Sequence, residues 1–164
     1  MVNNFYRDLE AARSAEHLVR DVFASLSLDY TFEEVGGVRD FFYRGDIKAT
    51  AADGREIFIE VKDDSRIADT GNVLCEEEVY YKKHDYLGKG NMSSDYDIYV
   101  VVSRAENKMY VIDFKILKEN YHKGTFKRIE HPQQETYCYL CELWQIDKWG
   151  GLIAEIDYKE AQAA

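Results

Sequence analysis

The sequence predicts an α/β domain, a mixed sheet with an amphipathic helix at its N-terminal end. Three observations carry that expectation. Residues 3–27 repeat apolar side chains at spacings of three and four, the period of a helix with one buried face. From about residue 41 the chain breaks into short β-branched and aromatic runs separated by turn residues, as strands do. The order is helix, three strands, a short connection and further strands, which packs as layers around one sheet. At 164 residues the simplest organisation is a single domain over 1–164 with a proper core.

The helical stripe runs Phe5, Leu9, Ala12, Glu16, Val19, Phe23 and Leu26, and Glu16 is its only charged member. Leu28 to Val35 is mixed, and Gly36-Gly37 breaks the chain. Phe41 to Thr50 and Glu56 to Lys62 read as a hairpin. With a three-residue loop, Ala52-Asp53-Gly54, Gly54 supplies the left-handed position and Asp46 stands directly opposite Glu60. A two-residue loop would pair Asp46 with Val61 and send the acids to opposite faces; the first register is preferred. The turn Thr70-Gly71-Asn72 leads to a third strand, Val73 to Glu76, and EEEVYYKKHDYLGKG follows as a polar stretch with helical character. Asp97 to Val102 and Met109 to Phe114 form a second apolar pair, and Asp113 is placed to cap a short helix over Phe114 to Tyr121. The end, TYCYLCELWQIDKWGGLIAEID, holds two more strand-like runs around Trp149-Gly150-Gly151.

Composition narrows the function. A hydrophobic fraction of 46% excludes a disordered chain. No run approaches a membrane span and no apolar leader opens the sequence, so a cytoplasmic setting is expected. Three cysteines fit reduced thiols better than a disulfide framework. The net charge of −10 is uneven: −9 over residues 1–80, +3 over 81–131 and −4 over 132–164. A polyanion would be repelled by the whole and must approach through the middle segment or through bound cations.

The chemistry gathers on one strand. Alternation along Ile57 to Lys62 puts Phe58, Glu60 and Lys62 on one face. An isolated Glu-x-Lys is most often a solvated edge. Here Asp46 joins the same face, Phe58 makes that face partly apolar, and Glu16 lies in the stripe the helix must bury. Carboxylates converging at low dielectric repel unless a cation holds them, and Mg²⁺ is the usual hard, oxygen-liking ion.

Asp46-x13-Glu60-Val61-Lys62, preceded by a helical glutamate, resembles the PD-(D/E)xK nuclease superfamily, the restriction-endonuclease-like fold that includes Holliday-junction resolvases. Gly45 stands where the family name has proline. The resemblance spans roughly residues 5 to 102 and implies an αβββαβ core with extra C-terminal strands. It further implies Mg²⁺ on Asp46, Glu60 and the Val61 carbonyl, with Lys62 orienting the attacking water and stabilising charge on the phosphate. Glu16 would assist through the ion's water shell. The implied function is a metal-dependent DNA endonuclease, structure-specific or phage- or restriction-related, working by analogy as a homodimer. The alternative is a non-catalytic module of the same fold that binds a protein or nucleic-acid partner. Lys82, Lys83, Lys89, Lys115, Lys118, Lys123, Lys127 and Arg128 are candidate backbone contacts, each individually an ordinary surface residue.

Two other features admit a chemical reading. Cys138-x-x-Cys141 invites a zinc or redox reading, but strand alternation sends its sulfurs to opposite faces, which favours core packing. Glu76 either adds a carboxylate to the site or opens a solvated helix with Glu77 and Glu78.

Overall fold

The computed structural model describes residues 4–35, 45–81, 86–130 and 137–163. Helix α1 (Asn4–Leu26) is followed by strands β1 (Tyr30–Glu34), β2 (Ile47–Ala51) and β3 (Glu56–Asp63). The four-residue helix α2 (Ile67–Thr70) then leads into β4 (Asn72–Glu76), β5 (Glu78–Tyr81) and β6 (Tyr86–Lys89). After a 3-10 turn come β7 (Ile98–Ser103), β8 (Lys108–Asp113) and α3 (Phe114–His122). The chain closes with β9 (Lys127–Glu130), β10 (Tyr137–Glu142), α4 (Leu143–Lys148), β11 (Leu152–Asp157) and α5 (Tyr158–Ala163).

The central sheet has the order β1-β2-β3-β7-β8-β11. β3 and β7 run parallel while the other neighbours are antiparallel, so this is the mixed sheet expected of the sequence, with α1 packed on it. Ala15, Val19 and Val22 of α1 cover Ile47, Ala49, Ile59, Val100, Val102 and Met109, all buried. Each Val, Ile or Met among them contributes about 1.5–3 kcal/mol through removal from water. The opposite face carries Tyr99, Val101, Tyr110 and Ile112, packed against α3, α4 and a second sheet of order β4-β10-β9.

The hairpin has its expected register. Ile47 pairs with Ile59 and Thr50 with Glu56, and the Ala51–Arg55 bond closes the three-residue loop, with Gly54 at φ 84°. Asp113 caps α3 by accepting from the Ile116 amide at 3.1 Å.

Other expectations are corrected. The buried seam of α1 centres on Ala15, Val19 and Val22, while Ala12 and Leu26 are exposed and Glu16 is only partly buried. At 100° per residue Glu16 lies roughly 90° off that centre, on a flank rather than in the seam. The mixed segment before Val35 supplies β1, whose alternation of half-buried and exposed residues marks an edge strand. β4 exists, but belongs to the second sheet. The stretch expected to be helical pairs as the β5–β6 hairpin; Lys82 and Lys83 lie outside the described residues, as do Phe41 to Arg44 and Gly36-Gly37. The C-terminal strand-like runs are β10 and β11, with α4 between them. Cys138 pairs with Glu76 and Cys141 with Val73, so the sulfurs do face opposite ways.

Candidate active site at the mouth of the hairpin

Gly45 and Asp46 form the entrance to β2. Gly45 adopts φ 101°, and a Cβ there would stand 2.6 Å from the Ile59 carbonyl oxygen. Only glycine fits such an approach, which accounts for its place where the resembled motif has proline. The Asp46 amide donates to the Ile59 carbonyl at 2.9 Å and its own carbonyl accepts from Val35 at 2.8 Å. Its carboxylate reaches across the hairpin to accept from the Val61 amide at 2.8 Å. Three bonds thus fix Asp46 against β1 and β3.

The Glu60 side chain lies beside those of Asp46 and Tyr96. Burial first, and the Asp46 charge second, push the Glu60 carboxyl well above the ordinary carboxylate range. The Lys62 charge and the nearby Tyr96 hydroxyl act in the opposite direction without offsetting this. Glu60 lies beside Tyr99, and Lys62 beside Val101, across the parallel β3–β7 ladder. Lys62 directs its ammonium to Glu76, with Nζ 3.8 Å from Oε2.

Glu76, left undecided by the sequence, is buried at 8% exposure. The Cys138 thiol donates to its other carboxylate oxygen at 3.7 Å, and burial with the Glu76 charge pushes that thiol up to about 11. Tyr96 was not singled out either. A lone tyrosine between Asp95 and Asp97 carries no sequence signal of its own, whereas the strand-ending Glu76 did.

The structure therefore brings together Asp46, Glu60, Val61 and Lys62. Glu16 belongs to α1, which covers the Ile59 face of β3, whereas Glu60 and Lys62 project from the other. Among the described residues no three His, Cys, Asp or Glu side chains stand close enough to hold one ion. Past Tyr96 a cleft of about 340 Å³ opens, lined by Asp95, Asp97, Lys115, Lys118 and His122 among others. Lys118 is held there by Asp95 at 2.5 Å and by the Ser94 carbonyl. Of the other basic candidates, Arg128 stacks on the Tyr137 ring at 3.5 Å.

No protein-family model matches the chain, and no curated protein does. Among solved structures the fold is similar to that of a bacterial homing endonuclease, I-Ssp6803I. The TM-score is 0.45 and the identity 14%, over 66% of this chain and 70% of that one. Among the described residues no helix is long and apolar enough to cross a membrane.

Proposed function

We propose that this chain is a metal-dependent endonuclease that hydrolyses phosphodiester bonds in DNA. The observation that supports it is the meeting of the Asp46 and Glu60 carboxyl groups at the hairpin mouth, with Lys62 on the same face of β3. The donor set suits Mg²⁺. Two carboxylates that raise one another's cost of ionisation offer hard oxygens, and Mg²⁺ takes one or two carboxylates and fills its remaining positions with water. Asp46, Glu60 and the Val61 carbonyl would hold it, and the bound ion would supply charge neutralisation at a phosphoryl oxygen and a more acidic water.

The chain's own residues contribute the remainder. The Val61 amide holds the Asp46 carboxylate toward Glu60, and the Tyr96 hydroxyl lies beside the pair, so little reorganisation is needed when charge arrives. The Lys62 ammonium donates to a non-bridging oxygen and offsets the charge that builds on the phosphate. Lys115 and Lys118, along the adjoining cleft, offer the backbone two cationic contacts.

The second reading, a non-catalytic binding module, draws on the net charge of −10 and on the engagement of Lys62 by Glu76. One assay separates the two: incubation with plasmid and branched DNA in Mg²⁺ or Mn²⁺, against EDTA. Metal-dependent cleavage that disappears in folded Lys62→Met supports the enzyme. Intact DNA under every condition supports the module.

A further inference from the structure

Glu76 is an acid that the fold buries and then immobilises. Its amide donates to Asn91 Oδ1 at 2.7 Å. The Asn91 side chain also donates to the Leu74 carbonyl at 3.2 Å and to the Tyr99 hydroxyl at 2.9 Å. The Gly90 backbone lies so close that a Cβ there would stand 2.2 Å from the Glu76 carbonyl oxygen, and the Gly90 amide bonds the Glu77 carbonyl at 2.8 Å. One carboxylate oxygen receives the Cys138 thiol and the other faces Lys62. A buried carboxylate is costly unless a partner compensates it, and among the described residues the Lys62 ammonium faces it. Lysine in turn is a point charge on a flexible four-carbon stem. With 41% of its side chain exposed, Lys62 would sample many rotamers if nothing restrained it.

We infer that Glu76 is a positioning residue, holding the Lys62 ammonium beside the Asp46–Glu60 pair in the orientation that meets a phosphate. Its effect on cleavage rests on the nuclease reading; the restraint on Lys62 does not. Glu76 acts through Lys62, with no direct hold on the ion.

Two readouts test this separately. In the metal-free protein, ¹⁵N NMR of the Lys62 ammonium should give a protected, resolved signal that Glu76→Gln removes. In DNA cleavage with Mn²⁺, Glu76→Gln should lower kcat about 10- to 100-fold, the usual cost of removing a group that orients a functional side chain. KM should stay within about twofold. In a Lys62→Met background the same substitution should change the residual rate less than about twofold, because the two residues act as one unit. Glu76→Asp keeps the charge one methylene shorter and should recover part of both readouts; it carries the test if Glu76→Gln does not fold. An unchanged Lys62 signal in the Glu76 variants overturns the inference whether or not the protein cuts DNA. Equal losses of rate with and without Lys62 overturn it as well. If wild-type protein cuts no DNA, the nuclease reading fails and the ammonium signal alone decides the restraint.

Discussion

Two hollows of nearly equal size lie against opposite faces of the central sheet. One, about 310 Å³, sits at the end of α1 and is lined almost wholly by apolar groups, including Phe23, Phe32, Ile57, Ile59 and Ile98. The other, about 340 Å³, sits beside α3 and is lined by three carboxylates, two lysines and a histidine around Tyr96 and Phe114. Strand β3 contributes to this contrast residue by residue: Ile57, Ile59 and Val61 turn one way, Phe58, Glu60 and Lys62 the other. The difference teaches that volume does not make a site. The apolar face is stabilised by every side chain it buries, whereas the polar face holds the Glu60 carboxyl, raised by burial and by Asp46, and the buried Glu76 carboxylate, which is tolerable only with partners. One face secures the fold, and the other stores the electrostatic cost that a ligand can relieve.

The comparison breaks most sharply at Lys62. Lys62→Met keeps the alkyl stem and removes the charge, so cleavage should fall by about 10²–10³-fold. The melting temperature should fall only modestly, because Glu76 loses the ammonium that faces it but keeps the Cys138 thiol. Wild-type cleavage by the folded variant would end the role assigned to this residue. On the other face, Ile59→Ala should do the reverse. Ile59 is 2% exposed, and truncation there should cost about 2–5 kcal/mol by urea unfolding. A loss below about 1 kcal/mol would show that the α1 face does not carry the stability ascribed to it.

Cation binding should sharpen the contrast. An ion bound only by the folded state stabilises it by roughly 1–3 kcal/mol when its concentration is about ten to a hundred times Kd. That is a melting shift on the order of 2–10 °C for a domain of this size. Asp46→Asn should abolish the shift while raising the metal-free melting temperature; equal Mn²⁺ shifts in both proteins would exclude Asp46 as a ligand.

The pH dependence has a definite sign. With its carboxyl raised by burial and by Asp46, Glu60 retains in the folded state a proton that the unfolded chain releases near pH ~4.3. The stabilisation this gives is fully present below that pH and is lost as the pH climbs to the folded value, above which it is level. Glu60→Gln has no proton to release. In EDTA its melting temperature should therefore gain on wild type as pH rises from about 4, and a gap that stays constant with pH would exclude a raised Glu60.

Much of this was readable in the sequence because it depended on local rules. Gly54 fixed the loop, the loop fixed the register, and the register put Asp46 opposite Glu60. Asp113 announced its helix in the same way. What was hidden depended on distant segments. β1 is a short edge strand whose mixed pattern carries little periodicity, and β5–β6 is a hairpin in a polar stretch that suits a helix equally well. The burial of Glu76 is decided by Gly90, Asn91 and Cys138, which lie 14, 15 and 62 residues further along the chain. No pattern around Glu76 itself distinguishes a clamped acid from a solvated one.

The smallest expected effect falls at Glu16, where the pattern misled. A heptad-like stripe assigns position by phase alone, and an error of one residue rotates a side chain by about 100°. Glu16 lies next in sequence to the fully buried Ala15, about 100° round the helix, so the apolar stripe drawn through Glu16 shares Val19 with the real seam and still places a flanking acid at its centre. On the flank of α1 Glu16 is only partly buried, so its charge costs less than it would in the seam. Glu16→Gln should change stability by less than about 0.5 kcal/mol, and both the Mn²⁺-induced melting shift and the cleavage rate should stay within about twofold of wild type. A tenfold loss of rate with an unchanged fold would return Glu16 to the site, acting around the sheet through water, and would make the separation of the two faces incomplete at that one point.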